Sequence, residues 1–321
     1  MIKIVFNCNQ TKMQGLGHFS RCLNFARHLK NKKKFDISFI GMFSTFSLSI
    51  LQKENFKVYS LTCDEDLFIG LMKYDYIITD RYDIDQDHLD KIASFKDIKS
   101  IIIDDFNTLN FSNHDLVVNF RVGVNHYRYD SKTAALGEKF FIFKPELSQI
   151  RENYKFNSTV KRILFFGTGT NKSNIKFNDL PEFLIQHFPQ LEIFHATNEP
   201  LDIESRRYIS KPLINSIENY FKEVDATING GGLIKYEVSF CGIPSATLST
   251  TKDQHQDTEI LSQKGLLYNL GNQQIENKAK IQKRVINFIN DPITRQSISQ
   301  KGKNVFTPES INNLINRIYE L

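Results

Sequence analysis

The sequence predicts an α/β protein made of two Rossmann-type parallel-sheet domains, with a ligand expected in the cleft between them. Three observations carry this expectation. Short β-rich runs alternate with stretches of helical spacing, the pattern of successive βα units. A polar stretch at 145–161, PELSQIRENYKFNSTVK, interrupts the alternation before it resumes. In each half a glycine loop follows the first strand, at the strand ends where open α/β sheets take their ligands.

In chain order, the first half offers the strands KIVFN, DISFIG, KVYSL, YDYIITD, SIIIDD and LVVNF. After the first of them, Phe19, Cys22, Leu23, Ala26 and Leu29 recur on one helical face, which predicts the first helix. The polar stretch marks a linker, so domains are expected at 1–150 and 151–321. The second half repeats the order with RILFFG, EIFHA, ATING, PSATLS and LLYNL and a long helix near 272–290. A last helix is expected in PESINNLINRIYEL, capped near Ser310 if not by Pro308 and Glu309.

Composition excludes several classes. At 321 residues, 40% hydrophobic and 24% charged, the chain suits two cored domains. The longest apolar runs have strand length, so no integral membrane segment is expected. MIKIVFN reads as a first strand rather than a secretory leader, which makes a cytoplasmic location the expectation. Cys8, Cys22, Cys63 and Cys241 form no C-x-x-C pair; neither a zinc site nor a disulfide framework is expected, and the thiols are read as reduced. The net charge of +5 is dispersed apart from KNKKK at 30–34, which reads as a solvated turn rather than a nucleic-acid patch.

The glycine loops carry the chemistry. In the first, Gly15 and Gly17 let the backbone approach an anion, and His18 stands at the first helical turn. The partial positive charge of a helix N-terminus favours a neutral, proton-accepting imidazole. His18 is therefore read either as a general base or as a residue that only caps the helix. The second loop, FFGTGTNKSN, holds Gly167, Gly169, Thr170 and Asn171, and the third, INGGGLIKYE, holds Gly230, Gly231 and Gly232. A tight turn explains any one of them, whereas three at strand ends converge on one phosphate-bearing ligand by the switch-point rule. Glu237, in the helix after the triple glycine, is expected to take two ribose hydroxyls. STTKDQHQDTEI then crowds Asp253, Gln254, His255, Gln256 and Asp257 at another helix start, as ligand contacts or caps.

The stretches GLGHFSRCLNFARHL, IITDRYDID, IIIDD, LGEKFFIFKPEL, FFGTGTNKSN and GGGLIKYEVSFCGIPSATLSTTKDQHQDTEILSQKG occur in the order and approximate spacing of the UDP-sugar hydrolase of pseudaminic acid biosynthesis. Nearly the whole chain resembles that family, a GT-B relative of the MurG-type peptidoglycan glycosyltransferase. The resemblance implies a GT-B-like fold in which water attacks the anomeric carbon of a UDP-linked diacetamido-trideoxy-hexose and UDP leaves. It makes His18 the catalytic histidine and Tyr82 the tyrosine of a D-H-Y motif that here reads Asp80-Arg81-Tyr82. Gly232 and Glu237 match the nucleotide-binding glycine and the ribose-binding glutamate, and Gln254 and Gln256 match polar contacts near the sugar and diphosphate. Tyr236 takes a place where relatives have tryptophan or asparagine. With Asp80, Gly15, Gly17, Gly169, Thr170, Asn171 and Gly231, these complete the expected substrate contacts.

Two departures fall in the expected site. Asn9 stands where the family commonly has an aspartate early in the first loop, and it joins His18 and Tyr82 as a catalytic candidate. Leu233, Ile234 and Lys235 replace the family's usual Ser or Thr. No D-x-D acidic pair lies near the loops, so the expected reaction is metal-independent and needs no cofactor, with helix ends and polar donors assisting UDP's departure. UDP-sugar and UDP are the expected partners. The chief rival is a glycosyltransferase of the same fold, in which His18 deprotonates an acceptor hydroxyl. A sugar-nucleotide-binding protein without catalysis is the third class.

Overall fold

The computed structural model describes residues 1–11, 16–167, 175–213 and 217–321. The chain divides into two compact units, Met1–Pro145 with Pro308–Leu321 and Glu146–Thr307.

The first unit is a sheet of seven strands: β1 (Ile2–Asn7), β2 (Phe35–Gly41), β3 (Lys57–Ser60), β4 (Tyr76–Thr79), β5 (Lys99–Ile103), β6 (Leu116–Asn119) and β7 (Ala134–Leu136). Their spatial order is β3-β2-β1-β4-β5-β6-β7, every pair parallel. Helices α1 (Gly17–Asn31), α2 (Thr45–Lys53) and α3 (Gln86–Ala93) lie among the crossovers. A parallel sheet is covered on both faces, so its strands are continuous apolar runs. Ile4, Val5 and Phe6 of β1 are fully buried, with Phe6 stacked 5.2 Å from Phe39 of β2 and edge-on at 5.7 Å to Phe25 of α1.

The second unit begins with α4 (Leu147–Asn153) and β8 (Arg162–Phe166), followed by α5 (Ile175–Asn178), α6 (Leu180–His187), β9 (Glu192–Ala196), β10 (Tyr208–Lys211) and β11 (Ala226–Asn229). It continues with α7 (Ile234–Cys241), β12 (Ser245–Ser249), α8 (Lys252–Gln263), β13 (Tyr268–Asn272), α9 (Lys278–Asn290) and α10 (Pro292–Val305). The six strands are ordered β10-β9-β8-β11-β12-β13 and all pair in parallel. Ile163, Phe165, Ile228 and Leu248 form the core with Leu184, Val285 and Phe288, and Phe165 stacks 4.1 Å from Phe177.

In each sheet the order of strand addition reverses at the unit's first strand. β1 has β2 on one side and β4 on the other, and β8 has β9 and β11. At such a reversal of strand order, open α/β sheets take their ligands outside the carboxyl ends of the strands. The segments after β1 and β4, and after β8 and β11, are therefore the ones the topology offers to a ligand.

The structure differs from the sequence reading in four places. β7 and β10 were not expected; both are short and lack a long β-branched run. The helix near 272–290 begins only at Lys278, where the Asn277 side chain accepts a hydrogen bond from Lys280 N at 2.9 Å; residues 273–277 make a turn instead. The last helix, α11 (Ser310–Tyr319), has its N-cap at Glu309 with no side-chain cap bond, and the Ser310 hydroxyl donates to the Phe141 carbonyl at 2.8 Å. Finally, α11 buries Ile311, Leu314, Ile315 and Ile318 within the first unit, whereas the sequence boundary grouped 308–321 with the second. Lys30 to Lys34 are exposed around the C-terminus of α1, where cations suit the helix dipole. Among the described residues no helix is long and apolar enough to cross a membrane.

Candidate active site

In the first unit the switch point brings together the start of α1 and the segment after β4. Asp80 N extends the parallel ladder by donating to Asn7 O at 3.0 Å, which fixes the Asp80 side chain beside α1. Its carboxylate is fully buried, and Oδ1 lies 2.6 Å from Nδ1 of His18. One turn further along α1, Arg21 donates to the same carboxylate through Nε at 2.8 Å and Nη2 at 2.5 Å. Through Nη1 it donates to Asp105 Oδ2, after β5, at 2.8 Å.

These contacts place a proton on Nδ1 of His18. Nδ1 also lies 2.9 Å from Arg21 Nη2, yet a guanidinium only donates and a carboxylate only accepts. Only one contact can be a hydrogen bond, and the shorter one, to a buried carboxylate, requires a proton on Nδ1. In the neutral ring Nε2 then carries the lone pair, the arrangement that makes an imidazole a base oriented by an acid. The ring thus bonds Asp80 rather than the first N–H groups of its own helix, and the N-cap position of α1 falls on Leu16 without a side-chain bond.

Tyr82 stands edge-on to His18, ring centroids 4.0 Å apart at 85°, and its hydroxyl donates to Asp105 Oδ2. Tyr82 is 57% exposed as a residue, but desolvation at its hydroxyl end and the Asp105 charge push the phenol up from its ordinary value, so Tyr82 holds its proton beside the histidine. Burial opposes charge on Arg21 as well, but Asp105 and Asp80 outweigh it and raise the guanidinium further.

Asn9 is buried and ties three loops together. Its Nδ2 donates to Asp83 Oδ2 at 2.9 Å and its Oδ1 accepts from Met42 N at 2.9 Å. Arg81, the altered middle position of the D-H-Y motif, also binds Asp83, at 2.9 Å. An aspartate at position 9 would face the Asp83 carboxylate, so the amide fits its neighbour here. The carboxylate against the histidine comes from Asp80, on a different strand end from the one the departure at Asn9 brought into question.

In the second unit the triple glycine follows β11 and opens α7. Gly231 has φ +87, and a Cβ there would come within 3.3 Å of Gln254 Cβ and Oε1. Gly231→Ala is therefore expected to lower stability by about 1–2 kcal/mol, the cost of left-handed backbone for an L-residue, as read by denaturant unfolding. Beneath the loop, buried Lys235 donates to Gly231 O at 2.8 Å and pairs with Asp257 Oδ2 at 2.6 Å. Tyr236 is buried too, its hydroxyl on Asp257 at 2.7 and 2.8 Å. Glu237 is half-buried in the first turn of α7, and Gly232 is also partly exposed.

Gln254 Oε1 accepts from Thr250 Oγ1 at 2.7 Å and Thr250 N at 3.2 Å, while Gln256 points from the exposed side of α8. The cap of α8 is Thr251, which accepts from Gln254 N at 3.3 Å. Gly15, Gly169, Thr170 and Asn171 lie outside the described residues; Gly17 is the first residue of α1. Among the described residues no three His, Cys, Asp or Glu side chains cluster as metal ligands would.

Sequence reasoning missed Arg21 and Asp105. The signal was present: an arginine among the buried residues of α1 needs acidic partners, and IIIDD supplies one at the end of a buried strand.

No family model matches the chain. It is 25% identical over 284 residues to an uncharacterized protein of Methanocaldococcus jannaschii, covering 79% of this chain and 57% of that protein. It thus spans little more than half the length of that relative. Over 278 residues it is 23% identical to the spore coat polysaccharide biosynthesis protein SpsG of Bacillus subtilis, covering 80% of each. Among solved structures it is similar to Acinetobacter baumannii MurG, with TM-score 0.69, 14% identity and 100% of both chains covered. It is similar to Phytolacca americana UGT2 complexed with UDP-2fluoro-glucose and pterostilbene, with TM-score 0.71, 12% identity and coverage of 100% and 99%. For S. aureus MnaA with UDP the TM-score is 0.64, at 13% identity and coverage of 99% and 96%. The fold is GT-B, as the sequence resemblance implied.

Proposed function

We propose that this protein is a UDP-sugar hydrolase. Its substrate is a UDP-linked deoxy-acetamido sugar of the 2,4-diacetamido-2,4,6-trideoxyhexose type, cleaved at the anomeric carbon to give UDP and free sugar for nonulosonic acid biosynthesis. The observation that carries the reading is the His18–Asp80 pair, 2.6 Å apart, which leaves Nε2 as proton acceptor. In the reaction, a water oxygen bonds to the anomeric carbon as the bond to the β-phosphate oxygen breaks. The water proton passes to Nε2, Asp80 faces the imidazolium that forms, and UDP takes the bonding electrons. Backbone N–H groups at the triple glycine and the α7 N-terminus suit the diphosphate, and Glu237 suits the ribose. The similarity to SpsG, named for polysaccharide biosynthesis, and the MnaA structure with UDP support a nucleotide-sugar substrate.

The transferase reading uses the same base on an acceptor hydroxyl, and the folds of MurG and UGT2 favour it. A panel of UDP-sugars, assayed in EDTA with and without candidate acceptors, separates the two. Hydrolysis predicts UDP release without acceptor; release only with acceptor makes the protein a transferase. For the nucleotide contact, Glu237→Ala is expected to weaken UDP binding by about 1.5–3 kcal/mol, the range for hydrogen bonds to charged groups. Calorimetric titration checks this, and unchanged affinity in a folded variant rejects the ribose contact.

A further inference from the structure

Arg21 has a place in the first unit that stability alone does not explain. It is 5% exposed, its guanidinium 5.2 Å above the Phe120 ring, and it sits between two carboxylates. Burying one cation and two anions is expensive, and apolar side chains of similar volume commonly do as well or better for stability. What the arrangement supplies is connection. Each carboxylate that Arg21 holds has its other partner in the site: Asp80 on His18 Nδ1 at 2.6 Å, Asp105 on the Tyr82 hydroxyl. Arg121 donates to Asp105 O at 2.9 Å, which fixes the far end from the backbone. Burial raises and the Arg21 charge lowers the Asp105 carboxyl, and the charge prevails, so Asp105 accepts rather than donates.

We propose that Arg21 is a positioning residue that makes His18 and Tyr82 one mechanical unit, its rigid fork fixing Asp80 and Asp105 so that the imidazole keeps its Nδ1–H tautomer and Nε2 stays aimed at the reacting water. The proposal rests on the reading of His18 as the base. The fork matters because a guanidinium is planar and presents its donors at fixed angles, whereas an ammonium is a point charge on a flexible stem. A lysine at position 21 preserves charge but cannot hold Asp80 through two nitrogens while reaching Asp105 with a third. Nη2 at 2.9 Å from Nδ1 adds a second constraint: the ring cannot turn its Nδ1 proton away from Asp80 without bringing it toward another N–H donor.

The test is Arg21→Lys, alone and combined with Tyr82→Phe. Arg21→Lys is expected to lower kcat about 10²-fold, the scale of a small misplacement of a catalytic group, with KM and UDP affinity unchanged. Tyr82→Phe is expected to lower kcat in the wild-type background and to add nothing in the Arg21→Lys background, since the link is already broken. Nitrogen-15 spectra of the His18 ring read the same device without substrate: one Nδ1–H tautomer in the wild type, a mixture in Arg21→Lys. If Arg21→Lys fails to fold, Asp105→Asn serves, made in the Tyr82→Phe background so that the path from Asp105 through the Tyr82 hydroxyl is already absent and only its contact with Arg21 is tested; it is expected to lower kcat further and mix the tautomers. Wild-type kcat and an unchanged ring spectrum in the variant, or multiplicative effects with Tyr82→Phe, overturn the proposal. Absence of any UDP-sugar turnover by the wild type refutes the hydrolase reading instead, and the tautomer spectra then decide the positioning claim by themselves.

Discussion

His18→Asn is expected to lower kcat by about 10²–10⁴-fold, the usual contribution of general-base catalysis, while the fold and most of the UDP affinity survive. Asparagine can still offer an N–H to Asp80, so the buried carboxylate keeps a donor beside its two bonds from Arg21. It has no basic nitrogen, so nothing takes the proton from the attacking water. The residues expected to hold UDP belong to the second unit, and the substitution leaves them untouched. Steady-state kinetics of the two proteins, with calorimetric titration of UDP, check both effects. Turnover near the wild-type rate, or a defect confined to UDP binding, removes His18 from the chemistry.

Asp80→Asn is expected to lower both stability and turnover. The native carboxylate is 0% exposed and receives His18 Nδ1 at 2.6 Å together with Arg21 Nε at 2.8 Å and Nη2 at 2.5 Å. An amide keeps one acceptor and aims an N–H pair at another donor. The guanidinium remains charged with only Asp105 to balance it, and leaving a buried ion without its partner costs about 3–5 kcal/mol; the surviving Asp105 contact places the expected loss near 3. Turnover is expected to drop about 10²-fold or more, because the imidazole loses the acceptor that fixes its tautomer. Thermal unfolding and kinetics well below the variant's Tm separate the two losses. A folded variant with wild-type kcat shows that Asp80 serves structure alone.

Much of this was legible in the chain because parallel sheets write plainly. Ile4–Phe6 of β1, Ile101–Ile103 of β5 and Leu116–Val118 of β6 are buried and read as apolar runs, and the glycines after β1 and β11 mark the switch points. β7 and β10 stayed hidden because three or four residues beside a partner strand need no apolar run of their own. In the site, His18 was singled out because it opens a helix directly after a glycine loop, and Tyr82 because Asp80-Arg81-Tyr82 resembles the family's D-H-Y motif. Arg21 and Asp105 were not singled out, because which buried charges neutralise one another depends on β1, β4 and β5 lying side by side, an order that sequence separation conceals. Tyr236 shows the reverse: its neighbours in sequence pointed to the ligand, but its hydroxyl bonds Asp257 inside the unit.

The return of α11 to the first unit gives translation an order of assembly. Residues 146–307 are continuous in sequence, whereas the unit begun at Met1 also takes in Pro308–Leu321, which are made after them. Until then the places that α11 covers stay open: the Phe35 ring that stacks on Tyr319 at 5.8 Å, and the Phe141 carbonyl that takes the Ser310 hydroxyl. Of the two units, the one whose synthesis begins earlier is the one covered later. For that interval its apolar edge is open to chaperones or to aggregation.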